Sequence, residues 1–179
     1  MRANRLYISI FIMAIVAIFA TSLSLPPKED PNKLVYVDYS ELSKENQKQI
    51  DCLADNIYHE ARSEEENGQI AVALVTLNRV QDPRYPKDIC GVVKQKVKST
   101  CQFSWFCLKR KTIPDRARDV YVRAREIAIH VYVNYEKLPD ITGGALFYHA
   151  DYVNPRWKLE RTATIGRHIF YKERDGNAI

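Results

Sequence analysis

The chain has 179 residues, 27 of them basic and 22 acidic, for a formal net charge of +5. That length suits one domain, and so mild a surplus gives no case for a nucleic-acid partner. Four cysteines, an even count, point to an exported domain with two disulfides.

In chain order, Arg2 and Arg5 precede an uncharged run, LYISIFIMAIVAIFA, at residues 6–20. A basic start, an apolar core and small residues after it read as a secretory signal. An uncleaved inner-membrane anchor is the alternative, since residues 6–25 approach the length that spans a bilayer. Either way residues 1–25 direct the rest out of the cytoplasm, to the periplasm or cell envelope. Loss of Arg2 and Arg5 with that leader takes the 27 basic residues to 25, against 22 acidic. Residues 26–45 read as a polar linker, and 46–179 as the single exported domain.

A first helix is expected over about residues 44–62, where Ile50, Leu53, Ala54, Ile57 and Ala61 recur at helical spacing. Ser63 and Glu66 fit the S-x-x-E capping box, so a second helix should start near Glu64. Its body, IAVALVTLNRV, is nearly all apolar and should be buried on most sides. QDPRYPKD then ends it, because proline cannot continue a helix. Residues 89–111 suit either short strands or a tethered loop. A third helix is expected over 114–136, with Ala117, Val120, Tyr121, Ala124, Ile127, Ala128, Val131 and Tyr135 on one stripe. LPDITGGALFYHADYVNPRW reads as an aromatic loop, and ATIGRHIFYKERDG as a short strand. The pattern is mainly α, with short strands and aromatic loops able to hold an extended polar ligand.

Four cysteines allow three pairings. Cys101 and Cys107 flank one short aromatic segment, which favours Cys101–Cys107 and leaves Cys52–Cys90. Zinc is the weaker reading, as no C-x-x-C occurs. His59, Glu60, His149 and His168 could be assembled into a metal hydrolase site, but the H-E pair lacks the second histidine of H-E-x-x-H, so that signal is weak. No metal or cofactor is expected. There is no G-x-S-x-G serine elbow, and disulfides would consume a cysteine nucleophile. Glu60 stands next to a buried helix face, where desolvation raises a carboxyl pKa. A protonated glutamate is what glycoside cleavage needs as a proton donor. CQFSWFC and GGALFYHADY mix rings with amides and hydroxyls, the materials of a sugar-binding groove.

LADNIYHEARSEEENGQIAVALVTLNRV, YPKDICGVV, CQFSWFC, GALFYHADYVNPRW and IGRHIFY occur in this order over residues 50–172. Together they resemble the cell wall hydrolase family named for spore-cortex-lytic enzymes of the SleB type. The resemblance implies a lysozyme-like single catalytic domain, mainly α with short strands, that cleaves the glycan strands of peptidoglycan. It assigns the glutamate of E-A-R, here Glu60, as the catalytic acid. It also implies lytic transglycosylase chemistry at the N-acetylmuramic acid–N-acetylglucosamine bond, with a 1,6-anhydro product. A hydrolytic muramidase or glucosaminidase would want a second carboxylate, for which Asp151 and Glu64 are available. A catalytically idle wall-binding module would not need Glu60. Gln102, Ser104, Tyr148, His149, Trp157 and His168 are the candidate substrate-binding residues. Many members carry glycine where this chain has Ser63.

Overall fold

The computed structural model describes residues 35–108 and 112–174. Helix α1 (Lys44–Ala61) begins where the Ser43 hydroxyl accepts the Asn46 N–H at 3.2 Å, the local bond that makes serine a good N-cap. Its expected stripe is the centre of the core: Ile50, Leu53, Ala54, Ile57 and Ala61 are all fully buried. Burial of each large aliphatic chain here contributes about 1.5–3 kcal/mol. Helix α2 (Glu66–Gln81) is buried along nearly its whole length, from Ala71 to Leu77 without a break.

The capping box does not form. Ser63 lies in the turn between the helices, and α2 starts two residues later than expected, with Glu65 as N-cap and no side-chain cap. The Glu65 carbonyl accepts from Gly68 and Gln69. The Gln69 amide instead reaches back to the Glu64 carbonyl at 3.0 Å, so Glu64 and its side chain stay outside the helix.

Residues 89–108 are more helical than expected. Helix α3 (Ile89–Val93) is capped by Asp88, which accepts the Gly91 N–H at 2.8 Å. A two-residue hairpin follows, β1 (Lys96–Val97) against β2 (Thr100–Cys101), and then α4 (Ser104–Cys107). Cys52 of α1 is bonded to Cys90 of α3, and Cys101 to Cys107 across α4. After a 3-10 turn at Asp115–Ala117, helix α5 (Arg118–Asn134) lays Ala124, Ile127, Ala128 and Val131 against α1.

The C-terminal region forms a three-stranded antiparallel sheet, not one strand. Its order is β3 (Phe147–Ala150), β5 (His168–Lys172), β4 (Glu160–Ile165). A bulge at Thr162 separates the pairs Arg161↔Tyr171 and Ala163↔Phe170. Gly166 opens the β4–β5 turn at φ +56, a conformation that favours glycine. The sheet's inner face packs on α2, with Phe170 fully buried against Ala71, Val75 and Ala145.

The stretch 26–45 is not a free linker throughout. Val35 donates its N–H to Asn134 Oδ1 at 2.6 Å and accepts from Asn134 Nδ2 at 3.0 Å. Tyr39 then donates to Asp51 at 2.8 Å. The leader at 1–25 lies outside the described residues. Among those residues no helix is long and apolar enough to cross a membrane.

Candidate active site

Glu60 occupies the last turn of α1, half-buried where the helix meets the sheet. Tyr148 of β3 donates its hydroxyl to Glu60 Oε2 at 3.3 Å. Burial pushes the Glu60 carboxyl above its ordinary range, against the Tyr148 hydrogen bond and the positive charge of Arg79. Burial also pushes the Tyr148 phenol far up, so it keeps its proton and remains a donor.

Two polar residues in the apolar run of α2 place Tyr148. Asn78 donates to the carbonyl of Ala145 at 3.2 Å and to Asp140 at 3.0 Å. Arg79 Nε donates to the carbonyl of Leu146 at 2.8 Å. These bonds fix the approach to β3, two residues before Tyr148. Arg79 is only 6% exposed, and its Nη1 is buried without a hydrogen-bond partner among the described residues. Its guanidinium instead lies 5.2 Å from the Phe103 ring and 5.4 Å from Tyr85. The interruption of the apolar run at Asn78 and Arg79 is the sequence signal for both residues.

A second buried relay lies behind Glu60. Trp105 Nε1 donates to Asn56 Oδ1 at 3.0 Å, Asn56 Nδ2 to Thr76 Oγ1 at 3.1 Å, and Thr76 to the carbonyl of Val72 at 3.1 Å. The Trp105 ring stacks on His59, the neighbour of Glu60, at 4.3 Å and 14°. The disulfide-closed segment is thereby held beside the carboxylate. Gln102 and Ser104 sit exposed on that segment.

Strand alternation divides the remaining candidates. Tyr148 pairs with Phe170 and Ala150 with His168, so Tyr148 and His168 share the inner face. Their rings meet edge to face at 5.2 Å. His168 is 7% exposed, and burial depresses its imidazole, opposed by the charges of Glu64 and Asp151. His149 faces the other way. It bonds Tyr171 at 3.0 Å and meets Trp157 at 5.4 Å on the outer face. His149 and Trp157 therefore do not join Glu60 as the sequence reading grouped them. His59, His149 and His168 lie in three different settings, and no three His, Cys, Asp or Glu side chains gather as metal ligands among the described residues.

The two candidate second carboxylates have other duties. Glu64 Oε2 accepts the Arg167 N–H at 2.9 Å, and a Cβ on Gly166 would collide with it. Asp151 pairs with the Arg167 guanidinium at 3.2 Å, a contact that holds its carboxyl below the usual range.

Residues 63–171 match the Cell Wall Hydrolase family, and the chain belongs to that family. The match begins at Ser63, three residues past Glu60. The spore cortex-lytic enzyme of Halalkalibacterium halodurans is 31% identical over 124 residues, 68% of this chain and 34% of that protein. That of Bacillus cereus is 31% identical over 130 residues, 71% of this chain and 45% of that protein. The chain thus spans between a third and under half the length of these curated relatives. Among solved structures, the catalytic domain of the Bacillus cereus SleB protein is 25% identical with a TM-score of 0.48, covering 80% of this chain and 98% of that one. The catalytic domain of the germination-specific lytic transglycosylase SleB from Bacillus anthracis gives 25% and 0.47, covering 83% and 100%.

Proposed function

We propose that this domain cleaves the glycan strands of peptidoglycan as a lytic transglycosylase, with Glu60 as both acid and base. The observation that carries the reading is the desolvated Glu60 carboxyl, held by Tyr148 at the meeting of α1 and the sheet. Membership of the Cell Wall Hydrolase family and the name of the curated relatives, spore cortex-lytic enzyme, support the substrate class. The two disulfides support export.

In this reading Glu60 is protonated when the strand binds. It passes its proton to the glycosidic oxygen as the bond from muramic C1 breaks, and N-acetylglucosamine leaves with a free hydroxyl. The Glu60 carboxylate then accepts the proton of the muramic 6-hydroxyl as that oxygen bonds to C1. The 1,6-anhydro ring closes, Glu60 is again protonated, and no water is consumed. Tyr148 keeps the carboxyl oriented, and the nearby charge of Arg79 steadies the transient carboxylate. The engagement of Glu64 and Asp151 by the β4–β5 turn favours this one-carboxylate route over hydrolysis, which uses a pair.

Glu60→Gln keeps size and polarity but cannot donate in the same way. General acid–base catalysis is worth about 10²–10⁴-fold, and muropeptide release from purified sacculi should fall by at least that factor. Sacculus binding and the fold should persist. Mass analysis of wild-type products should show anhydro ends lighter by one water than hydrolysis products. A Glu60→Gln variant of near-normal rate would remove Glu60 as the acid. Reducing muramic or glucosamine ends would mean a hydrolase.

A further inference from the structure

The outer face of the sheet carries an aromatic cluster that the chemistry at Glu60 does not use. Phe147 and Tyr171 are register partners on that face, and His149 lies beside them. The loop after β3 folds Trp157 over all three, at 6.1 Å from Phe147, 5.4 Å from His149 and 5.7 Å from Tyr171. His149 and Tyr171 stack at 5.2 Å and 23°. The His149 ring is locked in plane by two bonds. Its Nδ1 lies 2.8 Å from the Ala150 carbonyl, which can only accept, so Nδ1 carries the proton and Nε2 accepts from the Tyr171 hydroxyl at 3.0 Å. The result is a rigid cluster that leaves Trp157 42% exposed at its rim.

The charge around it is of one sign. Arg156 and Lys158 flank Trp157, and Arg161 lies across from Tyr171 on the same face. All three are exposed, and none is ion-paired among the described residues. The nearby acids are already engaged: Glu173 with Arg84, Glu160 with Lys172, and Asp151 with Arg167. Exposed ring surface suits the C–H face of a pyranose. Unpaired cations suit carboxylates carried along a polymer. The mild charge of the whole chain and its two disulfides favour an extracellular polysaccharide over a nucleic acid.

We propose that the outer sheet face around Trp157 is a second glycan-binding platform, which holds an anionic segment of wall polymer apart from the segment at Glu60. It rests on the peptidoglycan reading only for the choice of polymer. Strand β3 is an edge strand, and the Phe147 ring at its start lies 6.0 Å from the Arg79 guanidinium. A long strand can therefore pass round that edge and occupy both faces.

The test is co-sedimentation with purified sacculi, using the full oxidised chain with Glu60→Gln so that no cleavage intervenes. Adding Trp157→Ala should weaken retention about tenfold, the loss of one exposed aromatic anchor, and Trp157→Phe should restore most of it. Arg161→Glu, at an exposed position that cannot disturb the core, should also weaken retention and reduce its salt dependence. Equal retention of all variants overturns the proposal. So does release of the bound protein by a single-stranded oligonucleotide but not by peptide-bearing soluble glycan strands, which would make the face a nucleic-acid surface. Muropeptide release by the wild-type chain is scored separately. Its absence would defeat the peptidoglycan-cleaving reading and leave the binding comparison standing.

Discussion

Glu60 and His168 flank Tyr148 and titrate in opposite senses. The Glu60 carboxyl is raised from 4.5, chiefly by burial. Its contribution to stability is therefore complete below pH 4.5 and is lost as pH rises through the raised value. Glu60→Gln removes that loss. The melting temperature of the variant should exceed that of the wild type by a margin that widens from pH 4 to pH 7, and a margin independent of pH would contradict a desolvated carboxyl. The wild type's cleavage rate should fall over the same rise, because only the protonated form donates. His168 is depressed from 6.5, chiefly by burial, so its contribution is present above 6.5 and lost as pH falls through the lower value. His168→Gln should flatten that acid-side decline, measured by the same melting series. Glu60, the proposed acid, was marked by the family resemblance at YHEAR, because its place beside an apolar stripe suits a solvated glutamate equally well. Arg79 interrupts an apolar run, which marks it as unusual but carries no sign of what it will face once folded. His149 was placed among the substrate-binding residues with Tyr148 because GGALFYHADY was read as a loop. In a strand, adjacent residues point to opposite faces, so Tyr148 goes to the acid and His149 to the outer cluster.

Helices α1 and α5 were legible from periodicity, because their apolar stripes are long enough to dominate local preferences, and α2 from the length of its apolar run. The short elements were not. Helix α3 has five residues and α4 has four, too few to show a period; α3 is pinned to α1 by Cys52–Cys90, and α4 to the hairpin just before it by Cys101–Cys107. The capping box failed for a related reason. Glu64 and the turn near it are committed to Arg167, more than a hundred residues on, and tertiary contact overrides a local motif. The disulfides should consequently differ in weight. Cys52–Cys90 closes a separation of 38 residues and Cys101–Cys107 one of 6. Loop-closure entropy gives about 4 kcal/mol for the first and about 2 kcal/mol for the second. Double alanine replacement of each pair, followed by urea unfolding, should reproduce that order. The Cys101/Cys107 replacement should also slow cleavage more than its stability cost explains, because α4 carries the Trp105 ring that stacks on His59 beside Glu60. Equal stability losses, or cleavage unaffected in the second pair, would contradict this division between a core staple and a site staple.

At the scale of the whole chain, the boundary that matters is the start of the compact unit. The compact unit begins at residue 34, earlier than the sequence reading placed it, because polar composition at 26–45 hides a single specific anchor. Asn134, the last residue of α5, is 1% exposed and exchanges two hydrogen bonds with the Val35 backbone. Its amide also donates to the His130 carbonyl at 2.9 Å, so it both closes the end of α5 and ties down the segment at Val35. A buried amide deprived of its partners costs about 1–3 kcal/mol. Removing residues 1–33 leaves that clamp intact and should leave the urea midpoint of the oxidised domain unchanged. Removing residues 1–37 deletes Val35 and should lower stability by about 1–3 kcal/mol. Asn134→Ala in the longer fragment should cost a similar amount, and combining it with the deeper truncation should add little, since both break the same pair of bonds. Glu60, Tyr148 and Arg79 lie outside the clamp, so both truncated forms should keep their cleavage rate at temperatures where they are folded. Full additivity of the two changes would mean that Val35 and Asn134 act independently. Failure of the 34–179 fragment to fold when oxidised would make the preceding segment part of the catalytic unit.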